Sequence, residues 1–280
     1  MRVLYVSDLD GTLLRSDAKI SAYTCRVINE LTAKGMLFSY ATARSIYTAS
    51  KVTAGLTARI PLITYNGALV RDNATHELLL SNFFSKEDAA ELLEALLGRG
   101  VSPIVYSYDG REHFSYLEQE ISPQTAAFLA TRKGDARDRP VSRPEQLLEG
   151  EVYYFTCIDE TEKMCPLYER YRERFHCFSQ PEIYSGDTFF EIIPKNASKA
   201  NAVLQLKSLL HADKLAVFGD GENDLDMFQL AEEAYAVSGG ADRLKAAATA
   251  VLGSNDEDSV AKWLEEHGEI EEKRGNENDL

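Results

Sequence analysis

The sequence predicts an α/β fold, in which a Rossmann-like core domain with a parallel sheet carries an inserted α+β domain. Short apolar runs that lead into polar turns and helical stretches recur near the start and near the end of the chain. The middle of the chain instead alternates in the way that is typical of β-hairpins. A length of 280 residues suits two domains of ordinary size.

The first third of the chain contains three apolar runs, at residues 3–6, 36–41 and 62–65. Nearly continuous apolar runs of this length are typical of parallel strands that are covered on both faces. Residues 21–34 carry apolar side chains at helical spacing, and Gly35 suits a helix C-terminal cap. The first two runs and this helix predict a βαβ unit, and we expect the third run to lead into another helical stretch.

The same order of elements returns late in the chain. We predict a helix at 198–210, a strand at 215–218, a helix that starts at Asp224 and a strand at 234–237. The acidic stretch 265–280 is expected to be a solvated end.

The middle of the chain predicts a mixed α+β module. Residues 102–116 alternate around Asp109-Gly110, a dipeptide that favours the tight turns of β-hairpins. Two further strands and two helices are predicted from the same kinds of pattern, namely strands at 151–158 and 189–193 and helices at 85–97 and 166–175.

This change of pattern sets the expected domain boundaries. We predict that residues 82–190 form a second domain, which is inserted between core segments 1–81 and 191–280. The core domain is therefore expected to be discontinuous in sequence.

The charge balance restricts the partners. The chain has 30 Lys and Arg residues against 45 Asp and Glu residues, a formal net charge of −15, which argues against a nucleic acid or an anionic membrane as partner. No apolar run reaches the roughly 20 residues of a membrane span, and Asp8 interrupts any signal-peptide core. Four cysteines without a C-x-x-C pair suit a reducing compartment. We expect a cytoplasmic protein, as a monomer or a weak homodimer.

Polar side chains follow the predicted strands where each strand ends. In an open α/β sheet, ligands bind beyond the carboxyl ends of the strands. Four such ends carry candidate groups, namely Asp8 and Asp10, Thr42 and Arg44, Asn66, and Asp220 with Asn223 and Asp224. Several carboxylates at one sheet edge repel one another unless a cation neutralises them. A site that offers only oxygen ligands and few carboxylates favours Mg²⁺.

A phosphate group can bind beside these carboxylates only if cations offset the negative charge. The carboxylates would repel a phosphate dianion, so we expect Mg²⁺ and one lysine beside it. Lys199 is the candidate lysine because it lies at the start of a predicted helix, whose N-terminal amides also favour an anion. One carboxyl is expected to have a raised pKa, and we assign the proton to Asp10, which would suit acid/base chemistry.

The motifs together resemble the haloacid dehalogenase superfamily, most closely its Cof-like sugar-phosphatase branch. They occur in the order DLDGTL from Asp8, TAR from Thr42, NGA from Asn66, then Lys199 and GDGEND from Gly219. The order, the spacing and the large insert agree with that family over nearly the whole chain, to about residue 262. The resemblance implies that the insert is a mobile cap domain that closes over the active site.

The resemblance also implies roles for the candidate residues. Asp8 would be the nucleophile that forms an aspartyl phosphate, and Asp10 would protonate the leaving alcohol and then activate water. Thr42 and Lys199 would hold the phosphoryl oxygens, with Asn66 nearby, while Arg44 would either contact substrate or brace its loop. The expected Mg²⁺ site comprises Asp8, the backbone carbonyl of Asp10, and Asp220, with Asn223 and Asp224 orienting its ligands.

Other interpretations remain open at this point. Taken singly, the Asp pair, Thr42, Asn66 and Lys199 would also suit a strand end, a helix cap, a turn and a solvated charge. Ala200, Tyr65 and Gly240 depart from the residues usual in the family, which concerns substrate contact rather than hydrolysis. The sequence predicts an Mg²⁺-dependent phosphatase acting on a small phosphorylated metabolite, with a phosphomutase or a non-catalytic ligand-binding regulator as alternatives.

Overall fold

In a computed structural model, the described residues are 1–181 and 187–270, and the chain divides into two compact units. The first unit comprises Met1–Ser81 and the chain from Ser198 onward, and the second comprises Asn82–Ala197. Each unit is built on its own β-sheet.

The described residues contain fourteen strands. In chain order these are β1 (Val3–Asp8), β2 (Leu37–Ala41), β3 (Pro61–Thr64), β4 (Leu69–Asp72), β5 (Leu78–Ser81), β6 (Ile104–Tyr108), β7 (Glu112–Leu117), β8 (Asp138–Val141), β9 (Glu151–Glu160), β10 (His176–Pro181), β11 (Asp187–Ile193), β12 (Lys214–Gly219), β13 (Glu233–Ala236) and β14 (Ala250–Val251).

The same residues contain nine α-helices. These are α1 (Ala22–Ala33), α2 (Ile46–Val52), α3 (Lys86–Leu97), α4 (Pro123–Ala130), α5 (Thr161–Tyr171), α6 (Lys199–Leu209), α7 (Leu225–Leu230), α8 (Asp242–Ala247) and α9 (Ser259–His267). No helix in this part of the chain has both the length and the apolar character that a membrane crossing requires.

Serine residues define where five of these helices begin. Ser21, Ser45, Ser85, Ser122 and Ser198 each precede a helix, and each side chain accepts a hydrogen bond from the backbone N–H three residues later. Such caps satisfy one of the donors that a helix leaves unpaired at its N-terminus. Helix α1, which begins after Ser21 and ends at Ala33, confirms the helix predicted at 21–34.

The first unit contains an eight-stranded sheet in the order β14-β13-β12-β1-β2-β3-β4-β5. The six strands from β14 to β3 pair in parallel, and β4 and β5 are antiparallel. Strand β1 lies between β12 and β2, with Val6 opposite Val217 and Ser39. The predicted parallel-sheet core of an α/β fold is thus confirmed.

Both faces of this sheet are buried. Val3 and Tyr5 of β1 pack in a core cluster with side chains of α1, α2 and α9, whereas Leu4 and Val6 pack in a second cluster with side chains of α6 and α7. Successive strand residues point to opposite faces, so a strand covered on both sides must be apolar throughout. This burial explains why the apolar runs in the sequence are nearly continuous.

The segment after the third apolar run differs from the prediction of a helical stretch. It forms the antiparallel hairpin β4–β5 instead, because Asp72 closes a turn by accepting hydrogen bonds from the backbone N–H groups of Ala74 and Thr75. Val70 of β4 is buried in the core cluster that also contains Leu4 and Val6, so tertiary packing stabilises the hairpin together with the Asp72 turn.

The second unit contains a six-stranded sheet in the order β10-β11-β9-β6-β7-β8. All neighbours are antiparallel except β7 and β8. One face packs against α3 and α5 through buried residues that include Leu92 and Leu167. The predicted hairpin is confirmed as β6 and β7, which flank Asp109-Gly110. The unit is thus the predicted α+β module.

Two details of the second unit correct the sequence prediction. Helix α5 starts at Thr161 rather than at 166, and Pro166 lies inside it. Met164 and Leu167, on either side of the proline, are both buried, and this burial outweighs the local cost of an interior proline. The boundary expected at 190 falls inside β11, which continues to Ile193, and the second unit ends at Ala197.

The C-terminal end also differs from the expectation of a solvated tail from residue 265. Helix α9 extends to His267, and the indole ring of Trp263 packs beside Tyr235 and Phe218. Residues 271–280 of the predicted tail lie outside the described residues.

We predict that Gly67→Ala strongly destabilises the first unit. Gly67 has φ +97°, and an added Cβ would lie 2.2 Å from the carbonyl oxygen of Ser198. Backbone strain and overpacking together are expected to lower the free energy of unfolding by roughly 3 to 5 kcal/mol. Urea unfolding followed by the fluorescence of Trp263, the single tryptophan of the sequence, measures this change.

Gly55→Ala is the matched control for Gly67→Ala. Gly55 has a similar φ of +109° in the same unit, but its added Cβ would meet the side-chain sulfur of Cys25 at 3.2 Å rather than a backbone atom. Strain alone is expected to cost about 1 to 3 kcal/mol. Equal losses in the two variants would contradict the importance of the approach to Ser198.

Candidate active site

The candidate residues of the first unit collect at the carboxyl edge of its parallel strands. Asp8 is the last residue of β1, Thr42 directly follows β2, Asn66 lies in the turn after β3, and Asp220 directly follows β12. These four strands are adjacent in the sheet. Parallel pairing therefore brings together groups that are far apart in sequence.

Lys199 joins two of the carboxylates. Its Nζ contacts Oδ1 of Asp8 and lies 2.8 Å from Oδ1 of Asp224. Lys199 is the first residue of α6, which directs its side chain from the helix start into this cluster. All three residues are buried, and Asp224 has no exposed surface at all. Buried charges are tolerated when they are paired in this way.

Asp224 also organises the loop after β12. Its Oδ2 accepts hydrogen bonds from the backbone N–H groups of Asp220 and Gly221, at 3.2 and 3.1 Å. A Cβ on Gly219 would lie 2.7 Å from the same oxygen. Both oxygens of Asp224 are thus engaged by protein groups, which makes it a residue that holds the loop and the lysine in position.

Asp220 is held by the loop after β1. The hydroxyl of Thr12 donates a hydrogen bond of 2.9 Å to Oδ1 of Asp220. Gly11 adopts φ +79°, and a Cβ at this position would lie 2.4 Å from Oδ2 of Asp220. Glycine is required here for both the conformation and the close approach.

Asp8, Asp220 and Asp224 form an acidic cluster that is suited to a metal ion. One carboxylate oxygen from each lies within 4.8 Å of the others. The donors are oxygen only, which matches the preference of Mg²⁺. With one ammonium group against three carboxylates, the cluster retains negative charge that a divalent cation would neutralise. The residues therefore fit Mg²⁺.

Two residues of the expected metal set are exposed, unlike the members of this cluster. The side chain of Asp10 is 49% exposed and pairs with Arg44 instead. Asn223 is exposed in the short turn between Gly221 and α7. The expectation for Asp10 concerned its backbone carbonyl, whereas this exposure and the pairing with Arg44 concern its carboxylate.

Arg44 makes a two-point contact with Asp10. Its Nε lies 2.8 Å from Oδ2 and its Nη2 lies 2.6 Å from Oδ1. This fork geometry is typical of arginine with a planar carboxylate or a phosphate group. The structure therefore brings Arg44 to a carboxylate of another loop, whereas the expectation from the sequence was that Arg44 contacts substrate or braces its own loop.

The loops after β2 and β3 are tied together by backbone hydrogen bonds. The N–H of Asn66 donates to the carbonyl of Thr42 at 2.9 Å, and the N–H of Tyr65 donates to the carbonyl of Arg44 at 3.1 Å. Tyr65 and Asn66 both have positive φ, near +50°. Gly67 follows them and lies against Ser198, the residue that caps α6. This compact loop fixes the start of the helix that carries Lys199.

The pKa values of the cluster reflect its burial. Burial raises the pKa of Asp8 to about 7, with the charges of Asp224 and Asp220 adding to the effect and Lys199 opposing it. Burial likewise raises the pKa of Asp220. Burial lowers the pKa of Lys199, but Asp8 and Asp224 outweigh this effect, so that its pKa is raised. Raised carboxyl pKa values are thus found at Asp8 and Asp220.

Sequence reasoning missed two contributors to this site. Thr12 lies within the DLDGTL motif, so its contact with Asp220 had a signal that could have been used. The approach of Gly67 to Ser198 joins residues that are distant in sequence, and no local pattern indicates it.

Known proteins match nearly the whole length of this chain. A family model described as haloacid dehalogenase-like hydrolase matches residues 5–264. The 5-amino-6-(5-phospho-D-ribitylamino)uracil phosphatase YwtE of Bacillus subtilis is 24% identical over 278 residues, which cover 92% of this chain and 96% of that protein. YitU of the same organism, whose name gives the same activity, is 24% identical over 272 residues, which cover 94% and 97%.

A solved structure shows the same similarity. The crystal structure of TM0651 from Thermotoga maritima has a TM-score of 0.78 and 25% sequence identity, and the match covers 97% of this chain and 99% of that chain. These matches confirm the predicted fold class and enzyme class, a phosphatase of the haloacid dehalogenase type in the Cof-like branch. The family model covers most of the chain, including every strand end that contributes to the acidic cluster. The chain therefore belongs to the haloacid dehalogenase-like hydrolase family.

Proposed function

We propose that the chain hydrolyses a small sugar or sugar-acid phosphate in an Mg²⁺-dependent reaction that passes through an aspartyl phosphate on Asp8. The observation that carries this proposal is the position of Asp8, which is buried at the end of β1, contacts Lys199 and lies in one cluster with Asp220 and Asp224. The names of YwtE and YitU specify a phosphorylated ribityl compound, which supports a sugar-like substrate.

The proposed Mg²⁺ site comprises the carboxylates of Asp8 and Asp220 and the backbone carbonyl of Asp10. Asp224 would orient these metal ligands through the loop after β12. Asn223 would also help to orient them. When bound, the ion would offset the negative charge of the cluster and of a phosphate dianion. This charge balance is the reason that a phosphate ester could approach a carboxylate at all.

The proposed reaction is a pair of displacements at phosphorus. A carboxylate oxygen of Asp8 attacks the phosphorus, and the bond to the leaving alcohol breaks while Asp10 supplies the proton that the alcohol takes up. Asp10 then accepts a proton from water, whose oxygen attacks the aspartyl phosphate and releases inorganic phosphate. The carboxylate of Asp8 is regenerated.

The phosphoryl oxygens are assigned to groups at the neighbouring strand ends. The ammonium of Lys199, the hydroxyl of Thr42 and the amide of Asn66 are the proposed partners. Catalysis of phosphoryl transfer depends mainly on positioning and charge stabilisation. The backbone ties between the loops after β2 and β3 support this assignment, because they fix Thr42 and Asn66 relative to each other.

The second unit is proposed to act as a cap that selects the leaving group and excludes water. Its continuous span of 82–197 and its own buried core support an independent module. We also propose a cytoplasmic location, which the four free cysteines support, and a monomer or weak homodimer.

Asp8→Asn is expected to abolish Mg²⁺-dependent hydrolysis of para-nitrophenyl phosphate, with a loss of at least about 10³-fold in kcat because the nucleophile is removed. The fold should persist, because Lys199 retains its contact with Asp224. Asp226→Asn makes the same change at an exposed position and should leave the rate unaltered. Retained turnover in Asp8→Asn would rule out Asp8 as the nucleophile.

Asp10→Asn is expected to slow hydrolysis of sugar phosphates by about 10² to 10⁴-fold, since their alcohols need a proton on leaving. Para-nitrophenyl phosphate has a better leaving group, so kcat/KM for this ester, which reports only the steps up to the aspartyl phosphate, should change far less. Release of inorganic phosphate from both esters measures the difference and also separates hydrolysis from transfer to a second sugar hydroxyl. Equal losses of kcat/KM on the two esters would argue against an acid role for Asp10.

The stability of the protein in a chelator is expected to depend on pH through Asp8. A carboxyl whose pKa is higher in the folded than in the unfolded state binds more protons when folded, so stability falls as the pH rises from about 4 toward about 7. Between about pH 5 and about pH 8, the wild type should lose on the order of 1 to 3 kcal/mol more than Asp8→Asn.

Urea unfolding followed by Trp263 fluorescence measures this difference, first with EDTA and then with Mg²⁺. The ion should restore the stability of the wild type near pH 8 and have a smaller effect on Asp8→Asn. Parallel pH profiles of stability for the two proteins would contradict the raised pKa of Asp8 in the folded state.

A further inference from the structure

The carboxylates at the strand ends fall into two environments. Asp8, Asp220 and Asp224 share one cluster around Lys199, whereas Asp10 has both of its oxygens bound by Arg44. The two contacts, at 2.8 and 2.6 Å, fix the carboxylate in direction as well as in distance, because the guanidinium presents its donors in a rigid fork.

Arg44 is itself held at two backbone positions. Its N–H donates to the hydroxyl oxygen of Thr42 at 3.1 Å, and its carbonyl accepts from the N–H of Tyr65 at 3.1 Å. The guanidinium therefore extends from a residue that is anchored between the loops after β2 and β3. It links these loops to the turn Leu9–Leu13 that carries Asp10.

Asp10 has little else to fix its orientation. Its backbone has φ −79° and ψ 125°, outside the helical range, within a turn whose other side chains Leu9, Thr12 and Leu13 are buried. Its own side chain is half exposed. An exposed carboxylate without a partner samples several rotamers, and general acid catalysis requires the donor within hydrogen-bond reach of the leaving oxygen.

We propose that Arg44 is a positioning residue, which holds the Asp10 carboxylate in the orientation needed for proton transfer to the leaving group. This role presupposes the proposed phosphatase reaction. It differs from the role of a phosphate ligand, because Arg44 acts through Asp10 and not on the transferred group.

The two roles predict different kinetics. A phosphate ligand would affect all esters alike and would weaken inhibition by inorganic phosphate. A positioning residue affects kcat/KM for esters with poor leaving groups and leaves phosphate binding unchanged, because kcat/KM reports only the steps up to the aspartyl phosphate.

Arg44→Gln should therefore lower kcat/KM for an alkyl phosphate such as glycerol phosphate by about 10 to 100-fold, the range that misplacement of a catalytic group produces. The kcat/KM for para-nitrophenyl phosphate and the inhibition constant of inorganic phosphate should change less than about threefold, since neither requires Asp10 as an acid.

Two further variants help to distinguish a positioning role of Arg44 from a general effect of losing an arginine. Arg44→Lys keeps the charge but offers a point contact rather than a fork, so its loss on glycerol phosphate should be intermediate. Arg15→Gln removes a comparable two-point contact, that between Arg15 and Asp258 in the same unit, and should alter neither ester.

The decisive experiment is a double-mutant cycle with Asp10→Asn, measured on glycerol phosphate. If Arg44 acts through Asp10, Arg44→Gln should have no further effect in the Asp10→Asn background. Additive losses, or an inhibition constant of inorganic phosphate raised more than about tenfold in Arg44→Gln alone, would overturn the positioning role. A wild type that releases no phosphate from either ester would overturn the proposed function and this role together. An active wild type together with equal losses of kcat/KM on both esters in Arg44→Gln would overturn the role of Arg44 alone.

Discussion

The ammonium group of Lys199 lies between the carboxylates of Asp8 and Asp224, and the architecture of the site depends on this contact. Two buried carboxylates repel each other, and each is costly to desolvate unless it is paired. Breaking a buried ion pair of this kind typically costs about 3 to 5 kcal/mol. The pair joins the end of β1, the start of α6 and the turn that precedes α7. One interaction therefore fixes the relative positions of three segments.

Close backbone approaches make this arrangement possible. Gly11 allows the loop after β1 to lie against Asp220, and Gly67 allows the loop after β3 to lie against Ser198 at the start of α6. In both places a side chain would occupy space that a neighbouring polar group already fills. The site is compact because its loops lack side chains where they meet, and this compactness keeps the carboxylates close enough to share a cation.

Asp8 and Asp10 illustrate how two carboxyl groups that are two residues apart acquire different properties. Asp8 ends a strand that is buried on both faces, and its side chain enters the acidic cluster. Asp10 follows Leu9, whose side chain is fully buried, so the turn directs Asp10 outward to Arg44. A nucleophile and an acid/base group need such different surroundings, because the environment of each carboxyl sets the form in which it acts.

The sequence by itself determined the elements and the strand ends at which chemistry is located. Continuous apolar runs report burial on both faces, so they predicted β1, β2, β3 and β12 and placed Asp8 and Asp220 at one sheet edge. Tertiary structure alone decided that the chain after Asn66 forms a hairpin, that α5 continues through Pro166 and that Arg44 pairs with Asp10. Local patterns record which face of an element is buried. They do not record which distant group a side chain meets, because that depends on how the loops pack once the sheet has formed.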